Sequence, residues 1–94
     1  MNIQKKIVEI VSNVIGCNIN ELNDLSGLLT QYNWDSLNHI SIISEIELAF
    51  GISIPDELIV ELNNIQKLTK YVEEVTQWNF ILKTYPLIAL MVIH

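Results

Sequence analysis

Three segments of the chain place apolar residues three and four positions apart, namely residues 2–15, 36–50 and about 64–77. This spacing lines apolar side chains along one side of an α-helix. Gly16 and Gly51 directly follow the first two segments, and each can end a helix in a left-handed conformation. Helices of this kind must pack against one another, because none of them can bury its own apolar side alone.

The links between these segments complete the fold prediction. A short third helix is expected over about 56–61, directly after Pro55. Residues 17–34 form a long first loop, whose regularly placed leucines indicate that it is pinned across the core, with a short helical turn. We therefore predict an all-α fold, a small four-helix bundle with three longer helices and one short one.

Polar residues at the expected helix starts predict where the helices begin. Asn2 and Asp35 are suited to cap the first two helices, and Asn63 with Gln66 has the spacing of a capping box for the last. His39 is expected to be exposed or half-buried. The apolar side of the second helix is expected to contain Leu37, Ile40, Ile43, Ile46 or Glu47, and Phe50. The core face of the last helix is expected to contain Ile65, Leu68, Tyr71, Val72 and Val75.

The charge balance favours basic protein partners. Five lysines stand against 11 Asp and Glu, for a net charge of −6. Nucleic acids and anionic membrane surfaces attract clusters of Lys and Arg, so both are disfavoured as partners. The single Cys17 excludes an internal disulfide framework and a Cys-based zinc cluster, and it fits a reducing cytoplasm.

The last 17 residues differ from the rest. Residues 78–94 read WNFILKTYPLIALMVIH, with 12 apolar residues and one charge, whereas residues 1–77 carry a net charge of −7. The segment is shorter than the roughly 20 apolar residues of a membrane-spanning helix. We also expect no secretory signal at the start of the chain. The sequence predicts one acidic domain over residues 1–77, followed by an apolar C-terminal extension over 78–94.

Side chains that could support catalysis do not form a recognisable active site. Ser36 is not in a G-x-S-x-G elbow. Asp35, Ser36 and His39 share one helical turn, which cannot place the imidazole between the other two groups as a catalytic triad requires. Two histidines and one cysteine do not make a metal site. We therefore predict no enzymatic activity, no catalytic residue and no resident metal.

The remaining candidate is Asp35-Ser36-Leu37 at the start of the second helix. A serine there lies at the positive end of the helix dipole, beside N–H groups that have no intrahelical acceptor. A phosphodiester built on its oxygen would be well placed. Asp and Ser are also common helix-start residues, so the tripeptide alone does not establish a function.

Residues 34–72 resemble the acyl carrier proteins without a gap. They contain the family's Asp-Ser-Leu attachment motif, Phe-Gly at 50–51, Ile-Pro-Asp-Glu at 54–57 and a last helix with Tyr-Val. The resemblance implies a carrier whose Ser36 receives 4′-phosphopantetheine from coenzyme A, through a separate synthase, or phosphopantetheinyl transferase, that uses magnesium. The terminal thiol of this arm would hold acyl or aminoacyl groups as thioesters.

The resemblance also implies roles for further residues. Asp35 would help the synthase to hold its metal. Partner enzymes that load and transfer cargo would dock on Leu37, Ile40, Ser44, Glu47, Asp56 and Glu57. An acyl pocket would be lined by Leu28, Leu29, Ile46, Ile54, Ile59, Leu62 and Leu68. Ile59 and Leu68 stand where fatty-acid carriers often have small residues, which predicts a short or polar cargo.

Two departures from the family pattern leave alternatives open. Asn38 and Ser41 stand where typical fatty-acid carriers have acids, and the string 34–39 is similar to stand-alone carriers of polyketide, nonribosomal peptide or modified-sugar pathways. An aminoacyl or peptidyl carrier and an unmodified helical interaction module are the alternatives. Residues 78–94 could continue the last helix to about residue 84 and then fold back as a strand or helix, form a homodimer by exchange between copies, or serve as a docking peptide for a partner or a membrane. Self-association is favoured.

Overall fold

Four helices follow one another in the computed structural model, which describes residues 2–87. They are α1 (Ile3–Ile15), α2 (Ser36–Phe50), α3 (Asp56–Ile59) and α4 (Ile65–Thr84). A single 3₁₀ turn, Ile19–Glu21, lies in the long first loop, where the sequence predicts a short helical turn. The predicted all-α bundle of three longer helices and one short helix is confirmed.

The core lies where α1 packs against both α2 and α4. Isoleucine dominates it, because its branched side chains fill the space between helices with few rotamers to lose. One loop residue, Trp34, is also fully buried there, which fixes the end of the long loop to the bundle. The buried apolar residues are Ile7, Ile10, Val11, Ile15, Trp34, Ile42, Ile43, Ile46, Ile54, Ile65, Leu68 and Val72.

The ends of α1 and α2 follow the predicted signals. The Asn2 side chain accepts a hydrogen bond from the backbone N–H of Lys5, and Asp35 accepts one from Asn38. Gly16 (φ 73°) and Gly51 (φ 64°) end the two helices in the left-handed conformation. Glycine takes this conformation at no steric cost, so both predicted stop signals are confirmed.

The long loop is held to the start of α4 by backbone hydrogen bonds. The Leu28 N–H donates to the Asn63 carbonyl (2.8 Å), and the Ile65 N–H donates to the Ser26 carbonyl (3.0 Å). Gly27 lies between them and forms an antiparallel bridge with Asn64. A Cβ atom on Gly27 would lie 2.2 Å from the Asn63 carbonyl oxygen, so only glycine allows this close approach.

The start of α4 differs from the prediction by one residue. The cap is Asn64, whose side chain accepts from the Lys67 N–H at 2.8 Å, and the predicted capping box led by Asn63 is wrong. The reason is that the backbone of Asn63 is paired with the long loop. The loop also provides the acceptor for the Gln66 N–H, the carbonyl of Asp24, so this N–H does not need the Asn63 side chain as its acceptor.

The core face of α2 is rotated from the predicted apolar side. Its buried residues are His39, Ile42, Ile43 and Ile46, whereas Leu37 is 77% exposed and Ile40 is 51% exposed. The spacing alone therefore does not identify the buried side of this helix, and the expectation that His39 is exposed or half-buried is wrong. Apolar residues occur on all sides of this helix, so their spacing fits more than one face.

The other two predicted helix ends also shift. The third helix ends at Ile59, two residues earlier than expected, and α4 continues to Thr84, which was one of the open alternatives. Phe80, Tyr85 and Leu87 are exposed on or just after its last turns. Residues 88–94 of the predicted extension lie outside the described residues. Within residues 2–87, no helix combines the length and apolar character needed to cross a membrane.

Candidate functional site

The candidate site lies at the first turn of α2. Asp35 is the N-cap, and its Oδ1 atom accepts the Asn38 N–H at 2.8 Å. Ser36 is the first helical residue and is exposed, as is Asp35. No acceptor among residues 2–87 bonds the N–H groups of Ser36 and Leu37. The serine hydroxyl therefore stands at a helix end that favours a negatively charged group.

The chain just before α2 is fixed by its own hydrogen bonds. The N–H groups of Thr30 and Gln31 donate to the Gly27 carbonyl, and the Leu29 N–H donates to the Trp34 carbonyl at 2.8 Å. Asn33 takes a left-handed conformation (φ 63°), and its side-chain amide donates to the Ile15 carbonyl at the end of α1. These bonds hold the approach to Ser36 in one conformation.

The buried pair Trp34 and His39 was missed by the sequence analysis. The indole Nε1–H donates to His39 Nδ1 at 3.0 Å, and His39 Nε2 lies 2.7 Å from the Ile59 carbonyl oxygen. The two residues flank the helix start at the positions where a hydrophobic staple is found, one before the cap and one a turn later. The spacing of Trp34 and His39 is the signal in the sequence that could have revealed this pair. It is easily overlooked because histidine is polar and a hydrophobic staple is usually sought among apolar residues.

Comparison with known proteins identifies the family. Residues 5–72 match the family described as a phosphopantetheine attachment site. The acyl carrier protein of Buchnera aphidicola subsp. Schizaphis graminum is 32% identical over 71 residues, which cover 76% of this chain and 90% of that protein. The chain belongs to the acyl carrier protein family. The acyl carrier protein of Rickettsia bellii (strain RML369-C) is 29% identical over 73 residues, 78% of this chain and 85% of that protein.

Membership of this family establishes the general role. Acyl carrier proteins are carriers and not enzymes, and the cofactor of the family is 4′-phosphopantetheine. The family also implies interactions with a phosphopantetheinyl transferase and with acyl-handling enzymes. The start of α2 fits this cofactor, because its exposed serine hydroxyl and free backbone N–H groups suit a phosphodiester.

The residues predicted for partner docking lie on two elements of the carrier. Leu37, Ile40 and Ser44 are exposed along the side of α2 that faces away from the core. Asp56 and Glu57 are exposed in the first turn of α3. Glu47 differs from the others, because it is half-buried and its Oε2 atom accepts the Ile54 N–H at 2.8 Å.

The residues predicted to line an acyl pocket are not all brought together. Ile46, Ile54 and Leu68 are buried in the core, and Leu28, Ile59 and Leu62 pack around it. Leu29 is instead 78% exposed, with φ at 67°, because its N–H is tied to the Trp34 carbonyl. An open groove of about 730 Å³ lies elsewhere, between α1 and α2, and is lined by Lys6, Ile10, Asn13, Val14, Glu45, Leu48 and Ala49.

The thiol of Cys17 follows α1. Partial burial raises its pKa above the ordinary thiol value, and the nearby negative charge of Glu21 raises it further. The thiol is therefore mostly protonated near neutral pH and is a weak nucleophile. Within residues 2–87, no group of three His, Cys, Asp or Glu side chains is placed to hold a metal ion.

Proposed function

We propose that this carrier bears its 4′-phosphopantetheine on Ser36 and presents acyl groups to partner enzymes. The observation that carries the proposal is the exposed Ser36 hydroxyl at the N-terminus of the 15-residue helix α2, within the region that matches the family. When attached, the group supplies a terminal thiol that carries acyl or aminoacyl groups as thioesters. The compartment that we propose is the cytoplasm, which suits a chain with one free cysteine.

Asp35 has a second role in this proposal. Its Oδ1 atom caps α2, so the carboxylate is held beside Ser36 by the helix itself. The other carboxylate oxygen is left to help the synthase hold its magnesium ion, since Mg²⁺ prefers oxygen ligands. The same residue thus fixes the start of the helix and supplies charge where the transfer takes place.

Intact-mass measurement tests the attachment site. The protein is incubated with coenzyme A, magnesium and a promiscuous phosphopantetheinyl transferase. Wild type is expected to gain the mass of the arm and one thiol, and Ser36→Ala to gain neither. Ser41→Ala is the matched control, because Ser41 is another exposed serine on α2. Failure of wild type to gain the mass would favour the unmodified interaction module, and loading by an adenylating enzyme would favour the aminoacyl or peptidyl carrier.

Partner enzymes are proposed to dock on the exposed side of α2 and on α3. The surface consists of Leu37, Ile40, Ser44, Glu47, Asp56 and Glu57. Three observations support it, namely the exposure of the two apolar residues, their position within one turn of Ser36, and the exposed acids of α3. The first two turns of α2 contain no acid, so the electrostatic attraction of a basic partner falls mainly on α3.

A charge-removal experiment tests the docking surface. Asp56→Asn with Glu57→Gln should slow Ser36 modification about threefold to tenfold at low salt, and the difference should shrink at high salt as the charges are screened. Glu73→Gln with Glu74→Gln removes the same charge from the exposed side of α4 and is the control. Equal slowing by both pairs would show that only net charge matters.

The cargo is proposed to be short or polar. Ile46, Ile54, Ile59, Leu62, Leu68 and Leu28 lie in or around the core, and these side chains leave little room for a long chain. Leu29 is no longer included, because it is exposed. Thioester hydrolysis measured over a series of acyl lengths tests this. Strong protection of a long chain from hydrolysis would contradict it.

Self-association through residues 78–94 is also proposed. The supporting observation is the exposure of Phe80, Tyr85 and Leu87, since exposed apolar clusters often mark interaction surfaces. Light scattering measures the molar mass of the full chain and of a chain that ends at Gln77, after the region matching the family. A dimer for the first and a monomer for the second are expected. Two monomers at high concentration would exclude the dimer.

A further inference from the structure

His39 is a buried ionisable side chain that carrier function does not explain. It is 2% exposed, and its partner Trp34 is 1% exposed. Both ring nitrogens are engaged, Nδ1 with the Trp34 indole at 3.0 Å and Nε2 with the Ile59 carbonyl at 2.7 Å. A merely space-filling residue would not need two polar contacts in the core, because buried polar groups cost free energy unless they are paired.

The hydrogen-bond pattern defines the form of the ring. An indole N–H can only donate, so His39 Nδ1 must be the bare, accepting nitrogen. A carbonyl oxygen can only accept, so His39 Nε2 must carry the hydrogen that is donated to Ile59. The ring is therefore neutral, with its single hydrogen on Nε2. Neither an aliphatic residue nor a protonated histidine satisfies both neighbours.

These two bonds join three parts of the molecule. Trp34 ends the loop that leads to Ser36, His39 lies one turn into α2, and Ile59 ends α3. The helix α3 has four residues and no side-chain cap, so it contributes little stability of its own. The Ile59 carbonyl is one of the acceptors that such a short helix leaves unpaired, and His39 supplies its donor.

We propose that His39 is a positioning residue that fixes α3 relative to Ser36 and thereby sets how efficiently a partner enzyme contacting both elements modifies the serine. This inference rests on the proposed function of Ser36. It differs from a docking contact, because His39 is buried and reaches the partner enzyme only through the placement of α3. Loss of the bond to Ile59 should therefore affect α3 and the modification rate together.

Three substitutions separate the two bonds. His39→Asn keeps an oxygen near the place of Nδ1, and His39→Gln keeps an N–H near the place of Nε2. His39→Leu keeps neither. The Leu62 N–H, which donates to the Leu58 carbonyl at 2.9 Å, reports on the segment that follows α3 through its hydrogen-exchange rate. We expect Asn and Leu to raise this rate about tenfold, the effect of one lost hydrogen bond, and Gln to stay within about threefold of wild type.

The modification rate of Ser36 should follow the same order. With coenzyme A and one transferase, kcat/KM should fall about tenfold in His39→Asn and His39→Leu and be largely rescued in His39→Gln. Asn2→Ala, which removes the cap of α1, is the control for lost stability, and it should leave kcat/KM and the Leu62 exchange rate unchanged. Long-range ¹H–¹⁵N NMR of wild type should show the ring hydrogen on Nε2.

The outcomes separate this inference from the proposed function. If wild type is never modified, the proposed function fails, and the exchange rates with the ring tautomer still decide whether His39 holds α3. If wild type is modified and the three His39 variants have equal kcat/KM, the positioning role is overturned. A hydrogen found on Nδ1, or rates that follow only the stability of each variant, would overturn it as well.

Discussion

Adding one methyl group at Gly27 should break the attachment of the long loop to α4. The new Cβ in Gly27→Ala would lie 2.2 Å from the Asn63 carbonyl oxygen and 2.9 Å from the Asn64 Cβ. Ordinary contacts of this type are well above 3 Å, so the two segments must separate by about 1 Å. The nearest atom belongs to the backbone and cannot turn away, as the end of a flexible side chain could.

The cost can be estimated from the bonds that this movement strains. The Leu28 N–H to Asn63 carbonyl bond and the Ile65 N–H to Ser26 carbonyl bond flank Gly27, at 2.8 and 3.0 Å. Each is worth about 1 kcal/mol, and more where a buried group is left unpaired. Alanine offsets about 0.4–1 kcal/mol by restricting the unfolded chain. The net loss is about 1–3 kcal/mol, a large share of the stability of so small a domain.

Urea unfolding followed by circular dichroism measures this loss, with Gly16→Ala as the control. Gly16 has open space around it but a left-handed φ of 73°, so alanine there costs about 1–2 kcal/mol through backbone strain alone. Asparagine tolerates this conformation, so Gly16→Asn should recover part of the loss while Gly27→Asn should not. A Gly27→Ala protein within about 0.5 kcal/mol of wild type would refute the reasoning.

Three further predictions concern single side chains. Asp35→Asn should keep the cap of α2, with a free energy of unfolding within about 0.5 kcal/mol of wild type, whereas Asp35→Ala should lower that free energy by about 1 kcal/mol. Both substitutions should slow Ser36 modification in a mass-spectrometric time course. Glu47→Ala should lose about 1–2 kcal/mol in urea unfolding, because it removes the acceptor of the Ile54 N–H, and Glu47→Gln should lose less. The raised pKa of Cys17 should make its alkylation near pH 8 slower than that of the unfolded chain, and Glu21→Gln should speed it. The pKa of the Cys17 thiol is higher in the folded chain than in the unfolded chain, so the thiol contributes to stability at pH values below the unfolded pKa. This contribution to the free energy of unfolding is lost as the pH rises through the folded pKa, and urea midpoints measured over a pH series should show the loss.

The parts of the fold with strong local signals were predictable. Asn2, Asp35, Gly16 and Gly51 act through their own backbone and nearest neighbours, so the ends of α1 and α2 follow from the sequence. The position of Ser36 at the first turn of α2 follows from the same signals. These interactions span only a few residues, which is why no knowledge of the tertiary structure was needed.

The parts that depend on distant contacts were not predictable. Asn63 and Asn64 are equally suited to cap α4 as far as the sequence shows. The backbone hydrogen bonds with the long loop decide that the cap is Asn64. The burial of His39 depends on Ile59, which is 20 residues away and supplies an acceptor that the sequence does not reveal. The family resemblance implied a pocket role for Leu29, yet its backbone N–H bonds the Trp34 carbonyl and its side chain is exposed.

The pairing of the loop with α4 also has a consequence for folding kinetics. The Gly27–Asn64 bridge joins positions 37 residues apart. A large loop of chain must therefore close before the N–H groups at the start of α4 can bond the carbonyls of the long loop. The first turn of α4 should therefore form late in folding, after α1 has packed against the rest of α4. Substitutions at Gly27 are then expected to speed unfolding while leaving the folding rate almost unchanged.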